Sequence, residues 1–462
     1  MKVIKTDIIP EKQIFVKIRN EQHDLDFKAI CIFSALGFFL DDDTYWLDTK
    51  VLKPATINTI DNDGFLVSSE KWFSWYYTPR DISLDQAVIE FSEIFEKNIE
   101  NETKGKKVIL PLSGGLDSRT QAIALKKINV DVKSYSYSFE NGFKEAEISR
   151  KIANKLNFPF QDFEIKNGYL WNKIEDLATI NECYSEFTHP RQMAVIDEVK
   201  KLGDIFSLGH WGDVLFDSEG IDYVDEFKIL PVLKKKIVKK GGLELAESLW
   251  KGWKLEGEFK EYLDKRLLNL WNDIDIDNFS AKIRAFKSLY WAPRWTSVNL
   301  SIFENEKPLN LPYYDNEMCK FICTLPESLL KDRQIQIEYI KQNSFEVAKI
   351  TWQEKKPFNL YNYHLNKFPY NLPYRIISKI KRTLKEVFGE KYIQRNWELQ
   401  FLGEENEEKL KYYLFSNEYS TFISSKTIKS FYNSFKTKNS VTYSHSISIL
   451  LTLSLWFKNY RK

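Results

Sequence analysis

The 462-residue chain lacks a clear excess of charge of either sign. Its 67 basic and 65 acidic side chains give a formal net charge of +2, so the electrostatic footprint of a dedicated nucleic-acid-binding protein is missing. Basic runs do occur, at residues 234–236 with Lys239 and Lys240, and at residues 379–385, but such runs are usually solvated faces. The composition therefore does not favour a nucleic-acid partner.

Cysteine is scarce, and the spacing of the few copies excludes a paired zinc site. The four cysteines are Cys31, Cys183, Cys319 and Cys323. We expect packed thiols in a reducing cytosol, with Cys31 inside an apolar strand at residues 29–33. The N-terminus has no apolar stretch or small-residue cleavage site of a secretory signal, so a cytoplasmic location is expected.

Long apolar runs are also missing. The most apolar stretch, residues 447–457, is interrupted by Ser448, Thr452 and Ser454 and is too short to span a bilayer as a helix. It is predicted to be a buried helix, and no membrane span is expected. Apolar residues at 43% and charged residues at 29% are typical of a folded globular protein.

The length predicts two or three domains, and the pattern changes near residue 80. Residues 1–80 read as short strands, at 13–18, 29–33, 44–47, 64–67 and 72–77, separated by turn residues. Ser83 and Gln86 then form a capping-box signature, and apolar residues repeat at helical spacing to about residue 100. We therefore divide the chain into residues 1–80 and residues 81–462.

The second region begins with alternating strands and helices. Strands are predicted at residues 107–112, 132–138 and 205–209, and helices at 118–128 and 145–156. Alternation of this kind indicates a parallel sheet. Beyond residue 220 helical periodicity dominates, so an α/β domain with a helical C-terminal part is expected.

The sequence from Ser113 to Ser118 links the first of these strands to its helix. It reads Ser113, Gly114, Gly115, Leu116, Asp117, Ser118. Glycines without Cβ atoms let the backbone adopt positive φ and turn its N–H groups toward an anion at the helix N-terminus, and the serines add hydroxyl donors. Asp117 would repel a bare phosphate, so an acid here predicts Mg²⁺ between it and a nucleotide.

This run resembles the pyrophosphate-binding loop of the N-type ATP pyrophosphatases, in the form found in asparagine synthetase and its relatives. The resemblance implies a Rossmann-like, adenine nucleotide α-hydrolase-like fold that binds ATP. It also implies that Ser136, at the end of the second strand, lies near adenine. Residues 207–216 are similar to the family's second conserved stretch, and the resemblance makes Asp213 the second magnesium-binding acid.

Two further residues are assigned by the same resemblance. His210 stands where the family has an acid that helps to deprotonate the incoming amine, and imidazole can do this work near neutral pH; the alternative is a histidine packed against Trp211. Residues 352–358 look like the loop whose lysine stabilises the charged intermediate. Lys355 is the better match there and Lys356 the second. Arg119 would add a cation near the phosphates or cap the helix.

The first 80 residues resemble the end of the family's N-terminal-nucleophile glutaminase domain. That domain needs an exposed N-terminal cysteine to attack glutamine, whereas Lys2 follows Met1 here. We expect a shortened, inactive glutaminase remnant. The amine is then expected to come from free ammonia, a separate glutaminase or the second substrate itself.

These observations predict a ligase that adenylates a carboxylate with ATP and Mg²⁺, releases pyrophosphate, and forms an amide with release of AMP. Asparagine, an amidated sugar acid and an amidated or cyclised peptide-like product are the candidate products. The alternative is a catalytically inactive nucleotide-binding scaffold or a subunit that depends on a partner.

Overall fold

The structure is a computed structural model that describes residues 1–19, 21–142, 146–387 and 393–460. The strands within these residues are β1 Lys2–Lys5, β2 Phe15–Lys17, β3 Thr49–Val51, β4 Thr56–Ile60, β5 Leu66–Lys71, β6 Val108–Pro111, β7 Val132–Phe139, β8 Phe160–Ile165, β9 Ile205–Ser207 and β10 Leu309–Asn310.

The α-helices follow in the same order along the chain. They are α1 Phe27–Leu36, α2 Leu84–Thr103, α3 Leu116–Lys127, α4 Ala146–Leu156, α5 Ile174–Ile180, α6 Ile196–Val199, α7 Gly212–Leu215, α8 Glu226–Ile237, α9 Gly242–Gly252, α10 Phe259–Asn272, α11 Phe279–Tyr290, α12 Ser297–Glu304, α13 Asn316–Ile322, α14 Glu327–Leu330, α15 Gln334–Asn343, α16 Phe345–Ala348, α17 Leu372–Val387, α18 Asn396–Phe401, α19 Glu404–Leu414, α20 Ser425–Asn433 and α21 Ser440–Tyr460.

A five-stranded parallel sheet organises the molecule, in the order β10-β9-β6-β7-β8. The chain runs from β6 outward to β7 and β8, and then returns to the other side of β6 with β9. The order therefore reverses between β6 and β9. In open α/β sheets, ligands bind at the carboxyl ends of the strands at such a reversal.

The sequence predicted this fold class, and the structure confirms it. The expected α/β parallel sheet is present, with a helical C-terminal part and small antiparallel sheets at the N-terminus. The predicted strands at residues 107–112, 132–138 and 205–209 correspond to β6, β7 and β9. The helix predicted from Glu145 corresponds to α4, although Glu145 itself lies outside the described residues.

The predicted strand at residues 29–33 is wrong, because this segment is helix α1. Asp26 accepts a hydrogen bond from the Ala29 N–H at its start, and Gly37 closes its end in the left-handed region with φ 81°. Almost every side chain of α1 is buried, so the helix shows no polar face. Cys31 is nevertheless a packed thiol as expected, and burial raises its pKa well above the usual value.

The rest of the N-terminal region contains less strand than predicted. Strands β2 and β5 overlap the predictions at 13–18 and 64–67, but residues 44–47 and 72–77 form no strand. The region forms a three-stranded sheet β1-β4-β5 and a two-stranded sheet β2-β3. Helix α1 packs against α9, so the region shares its hydrophobic core with the C-terminal helices.

Helix α21 confirms the buried helix predicted near the C-terminus. Its residues from Ser446 to Trp456 are buried, including Ser448, Thr452 and Ser454. Thr452 donates its hydroxyl hydrogen to the Ser448 carbonyl one turn earlier, at 2.9 Å. Within the described residues, none of the helices combines the length and the apolar character that crossing a bilayer requires.

Candidate active site

A cavity of about 650 Å³ opens at the carboxyl ends of β6, β7 and β9. It has the size of a small-molecule site. The predicted site residues that line it are Ser113, Gly115, Asp117, Ser118, Ser136, His210 and Asp213. Gly114 and Leu116 are buried behind the loop surface, and Leu116 belongs to the hydrophobic core. The structure therefore brings together residues that lie a hundred positions apart in the sequence.

The loop between β6 and α3 is held by its own side chains. The Ser113 N–H donates to Ser118 Oγ at 3.0 Å, and the Gly115 N–H donates to Ser113 Oγ at 3.2 Å. The two hydroxyls are also 3.0 Å apart. Several donors thus converge at the N-terminus of α3, where the helix dipole favours an anion.

The two loop glycines do not need the positive φ that the sequence suggested. Neither has φ in the left-handed region, and Gly115 is extended at φ −78° and ψ −179°. Gly114 is required for a different reason, because a Cβ there would lie 2.7 Å from Gln353 Oε1 and 2.9 Å from Ile148 Cγ2. The glycine allows another part of the chain to approach the loop closely.

That neighbouring segment, residues 347–353, clamps the loop. The Gly114 N–H donates to Gln353 Oε1 at 3.0 Å, and the Gln353 N–H donates to the Gly114 carbonyl at 3.1 Å. Arg119 is fully buried and donates to the carbonyls of Gly114, Val347, Ile350 and Thr351. Arg119 therefore holds two chain segments together. Because its guanidinium already donates to backbone carbonyls, it does not serve as a phosphate-binding cation.

Asp117, at the second position of α3, already has protein partners. Its Oδ1 accepts hydrogen bonds from the Arg333 guanidinium and from Gln336 Nε2, the latter at 3.0 Å. Arg333 and Gln336 also bond to each other at 2.8 Å, and Gln336 reaches the Tyr313 hydroxyl at 2.7 Å. Burial raises the pKa of Asp117 to about 6, and nearby Asp213 adds to this, although Arg333 opposes the shift.

Asp213 is brought against Asp117 by a glycine in the second loop. A Cβ on Gly212 would overlap Asp117 Oδ1, so only glycine permits this close approach of the two loops. Asp213 itself is exposed to the cavity and has no hydrogen-bond or ion-pair partner among the described residues.

The two carboxylates can be tested as a magnesium site by their chemistry. In the described part of the chain, no group of three or more His, Cys, Asp or Glu residues is placed to hold a metal ion. Asp117 retains Oδ2, and the Asp213 carboxylate is unpartnered among the described residues. Mg²⁺ is commonly bound by one or two carboxylates together with substrate phosphates, and this donor set fits that arrangement.

His210 lines the same cavity, but its environment is unfavourable for a charged ring. Burial lowers its pKa to about 4, and nearby Arg191 contributes, against the opposite effect of Asp213. Its Nδ1 is buried and has no hydrogen-bond partner among the described residues. The ring is therefore neutral at pH 7 and can accept a hydrogen bond, but it is a weaker base than expected for an imidazole near neutral pH.

Lys355 is not among the described residues that line the cavity. Its Nζ lies 5.4 Å from the centre of the Trp352 ring, whereas its neighbours Gln353 and Glu354 do line the cavity. Another lysine, Lys287 of α11, lies on the cavity wall instead. Burial is the main cause that lowers the pKa of Lys287, and its Nζ is 3.7 Å from a Glu219 carboxylate oxygen.

The loops, the paired aspartates and the sheet order agree with the result of comparing the chain with known families. Residues 93–299 match the family described as Asparagine synthase. The chain carries an asparagine synthase domain. The match to this family supports the activity of an ATP-dependent ligase that forms amides.

The matched residues 93–299 contain the loop from Ser113 to Ser118, His210, Asp213 and Lys287. Arg333, Gln336 and Lys355 lie beyond the matched residues. No curated protein sequence matches the chain at a significant level.

Three solved structures share a limited likeness with the chain. An NMN synthetase from Francisella tularensis is 14% identical, covers 45% of this chain and 92% of its own, and has a TM-score of 0.23. The NH3-dependent NAD synthetase from Campylobacter jejuni subsp. jejuni NCTC 11168 is 17% identical over 45% and 93%, with a TM-score of 0.22. The U34-tRNA thiolase NcsA from Methanococcus maripaludis is 14% identical over 45% and 79%, with a TM-score of 0.22. Likeness at this level assigns no activity.

Several site residues had no recognisable signal in the sequence. Arg333 and Gln336 reach Asp117 from the start of α15, and Lys287 reaches the cavity from α11, both in the helical part without motifs. One usable signal was the position of Gln353, which lies inside the segment already compared with the family's lysine loop. The fold, and not local spacing, brings these side chains to the loop.

Proposed function

We propose that the chain is an ATP-dependent ligase that converts a carboxylate into an acyl-adenylate and then into an amide, with release of pyrophosphate and AMP. The observation that carries the proposal is the meeting of the Ser113–Ser118 loop with Asp213 in one cavity at the sheet reversal. Acceptor candidates are aspartate, a sugar acid and a peptide carboxylate.

Asp117 and Asp213 would hold Mg²⁺ together with the phosphate oxygens of ATP. When bound there, Mg²⁺ would supply positive charge that offsets the charge of the phosphates. The role of Arg333 and Gln336 would be to fix Asp117 through Oδ1, which leaves Oδ2 to bind the ion.

The loop from Ser113 to Ser118, which we call the phosphate loop, would bind the leaving pyrophosphate. In the first step a substrate carboxylate oxygen attacks the α-phosphorus, and the bond from that phosphorus to the bridging oxygen of pyrophosphate breaks. Ser113, Ser118 and the amides at the start of α3 would stabilise the charge that develops on pyrophosphate. Ser136 at the end of β7 would lie near adenine.

In the second step the amine nitrogen attacks the acyl carbon, AMP leaves with the electron pair of the carbon–oxygen bond, and one proton leaves the nitrogen. His210, whose side chain lines the cavity, would accept a hydrogen bond from the amine. We propose Lys287 as the cation that stabilises the tetrahedral oxyanion, because Lys287 lines the cavity. Lys355 remains the candidate that follows from sequence order.

The amine source would be ammonia, a separate glutaminase or an amine on the second substrate. The N-terminal region of residues 1–80 remains a proposed remnant of a glutaminase domain. Its buried Cys31, whose thiol pKa is raised by burial, fits a role in packing.

The experiment is carboxylate-dependent release of pyrophosphate from ATP, measured with a panel of amino acids, sugar acids and peptides. Asp117→Ala and Asp213→Ala should each lower the rate by at least about 100-fold, whereas Asp63→Ala, in an exposed turn, should not. No release with any acceptor, or wild-type release by Asp117→Ala, would contradict the proposal.

A paired comparison separates the two lysines. Lys287→Ala should lower amide formation by about 100-fold or more while adenylate formation, followed by pyrophosphate exchange, is retained. Lys355→Ala should have the smaller effect. The reverse order would assign the oxyanion to Lys355.

One observation favours the alternative of a nucleotide-binding scaffold: Asp117 already has a cationic partner in Arg333. A scaffold of this kind would bind ATP equally well with and without Mg²⁺. Calorimetric titration with ATP, with Mg²⁺ or with EDTA, separates the two functions, because the ligase requires tighter binding with Mg²⁺.

A further inference from the structure

Helix α17, Leu372–Val387, carries an exposed apolar stripe that the proposed reaction does not use. Ile376 is 48% exposed, and Ile377 and Ile380 are each 53% exposed. These positions fall on one side of a helix, because side chains three and four residues apart are neighbours. Isolated exposed aliphatic residues are common on proteins, but a continuous helical stripe of them marks a contact surface.

Aromatic side chains extend this apolar surface just before the helix. Phe368 is 77% exposed, and Tyr370 is 58% exposed. Leu372, the first residue of α17, is also exposed and lies between them and the isoleucines in the chain. Exposed apolar residues therefore recur along the chain from residue 368 to residue 380.

The same helix is strongly basic. Its sequence contains Arg375, Lys379, Lys381, Arg382 and Lys385, with Glu386 as its one acidic residue. Arg375 and Lys379 are exposed, and helical spacing places them beside the isoleucine stripe and not within it. The basic run at residues 379–385 thus lies within helix α17, and its Lys379 is exposed.

Length and charge limit what this surface contacts. Sixteen residues at about 1.5 Å each span roughly 24 Å, which is shorter than a bilayer core, and Arg375 and Lys379 would be buried in a spanning helix. A helix with an aliphatic face, a cationic face and adjoining aromatics is suited to lie in the plane of a membrane interface. Anionic headgroups would complement the basic residues, and acyl chains would receive the isoleucines.

We propose that α17 and the preceding residues from Phe368 bind the chain to an anionic lipid surface. Ile376, Ile377 and Ile380 enter the boundary between headgroups and acyl chains, and the basic residues contact the headgroups. Neither contact alone is sufficient, since a single weak anchor gives only marginal attachment.

The test is sedimentation of the purified full-length protein with vesicles. Phosphatidylcholine vesicles that contain a minority of phosphatidylglycerol should bind the protein, and pure phosphatidylcholine vesicles should bind it much more weakly. Ile377→Glu with Ile380→Glu should weaken binding on the order of 100-fold through lost apolar burial. Arg375→Gln with Lys379→Gln should weaken it by about 10-fold at low salt.

Ile89→Glu provides a matched control, since Ile89 lies on α2 and is 49% exposed. It should bind vesicles like the wild type. Circular dichroism checks that each variant is folded. A second measurement uses Ile380→Cys labelled with a polarity-sensitive fluorophore, because the four native cysteines are buried. Its emission should shift to the blue only with anionic vesicles.

Three results would overturn the proposal. The first is that the wild type does not bind anionic vesicles, and the second is that Ile89→Glu loses binding as fully as the stripe variant. The third is a concentration-dependent dimer, seen by light scattering, that Ile377→Glu with Ile380→Glu abolishes in the absence of vesicle binding. That result would show that a second copy of the chain covers the stripe.

Discussion

Replacing Gly212 with alanine is expected to separate the two loops that carry Asp117 and Asp213. The added Cβ would overlap Asp117 Oδ1 and lie 2.8 Å from both Asp117 Cγ and Tyr313 Cζ. Carbon atoms in ordinary contact are about 3.5–4.0 Å apart, so one loop must move by roughly 1 Å. Tyr313 is buried and bonded to Gln336, which leaves Asp117 or Asp213 to move.

The magnitude follows from the nature of this contact. Gly212 does not have a positive φ, so the alanine causes steric overlap without backbone strain. Overpacking of this kind costs about 1–3 kcal/mol of unfolding free energy. A displacement of about 1 Å at a catalytic group lowers the rate on the order of 100-fold, so activity should fall more than stability.

Two measurements on one protein preparation test this. Urea unfolding gives the stability, and Mg²⁺-dependent pyrophosphate release gives the activity. Gly252→Ala is the control, because a Cβ on Gly252 would meet nothing within 4 Å, and alanine at this helix end should be neutral or slightly stabilising. A Gly212→Ala protein with wild-type ATP binding and activity would refute the argument that this glycine sets the distance between the aspartates.

Three other predictions follow from the buried polar groups. Mg²⁺-dependent ATP binding should weaken as the pH falls through about 6. Burial raises the pKa of Asp117 to about 6, and a neutral carboxyl group binds cations poorly. Calorimetry that shows constant affinity below this pH would contradict this prediction. The unfolding free energy should fall as the pH drops from 6.5 to about 4, because the unfolded His210 gains a proton that the buried ring resists. Urea unfolding should show a shallower fall in His210→Asn. The unfolding free energy of Arg119→Ala should be lower by about 3 kcal/mol or more, because buried carbonyls lose their hydrogen-bond donor. An unchanged urea midpoint would contradict the idea that Arg119 holds the two chain segments together.

Strong local patterns explain why much of the fold was predictable. Buried strand β6 reads as an apolar run, and β7 carries Val132, Tyr135, Tyr137 and Phe139 among serines. Helix α2 begins with the Ser83 cap and repeats apolar residues at helical spacing. Helix α1 was mistaken for a strand because it is buried on nearly all sides and thus has no polar face. The useful signals were its ends, Asp26 and Gly37, which mark a helix start and stop.

The site was predictable only where it is local. The loop from Ser113 to Ser118 lies in one stretch of sequence, and its chemistry follows from residue types at fixed positions. The partners of Asp117 are not local, since Arg333 and Gln336 lie more than two hundred residues away and reach it through the packing of α15 against α3. No spacing rule in the sequence connects such residues. Lys287 could not be predicted as a site residue for the same reason.

The hydrogen bonds inside the phosphate loop have a consequence for ligand binding. The N–H groups of Ser113, Gly114 and Gly115 already donate to oxygens of Ser118, Gln353 and Ser113. An incoming phosphate can gain these amides only by replacing side-chain oxygens, so each exchange leaves the number of hydrogen bonds almost unchanged. Affinity must then depend mainly on charge, and neutral analogues of the phosphates should bind poorly even when their shape is right. Release of Gln353 from Gly114 would also loosen residues 347–353. Ligand binding to the loop would therefore change the mobility of this neighbouring segment.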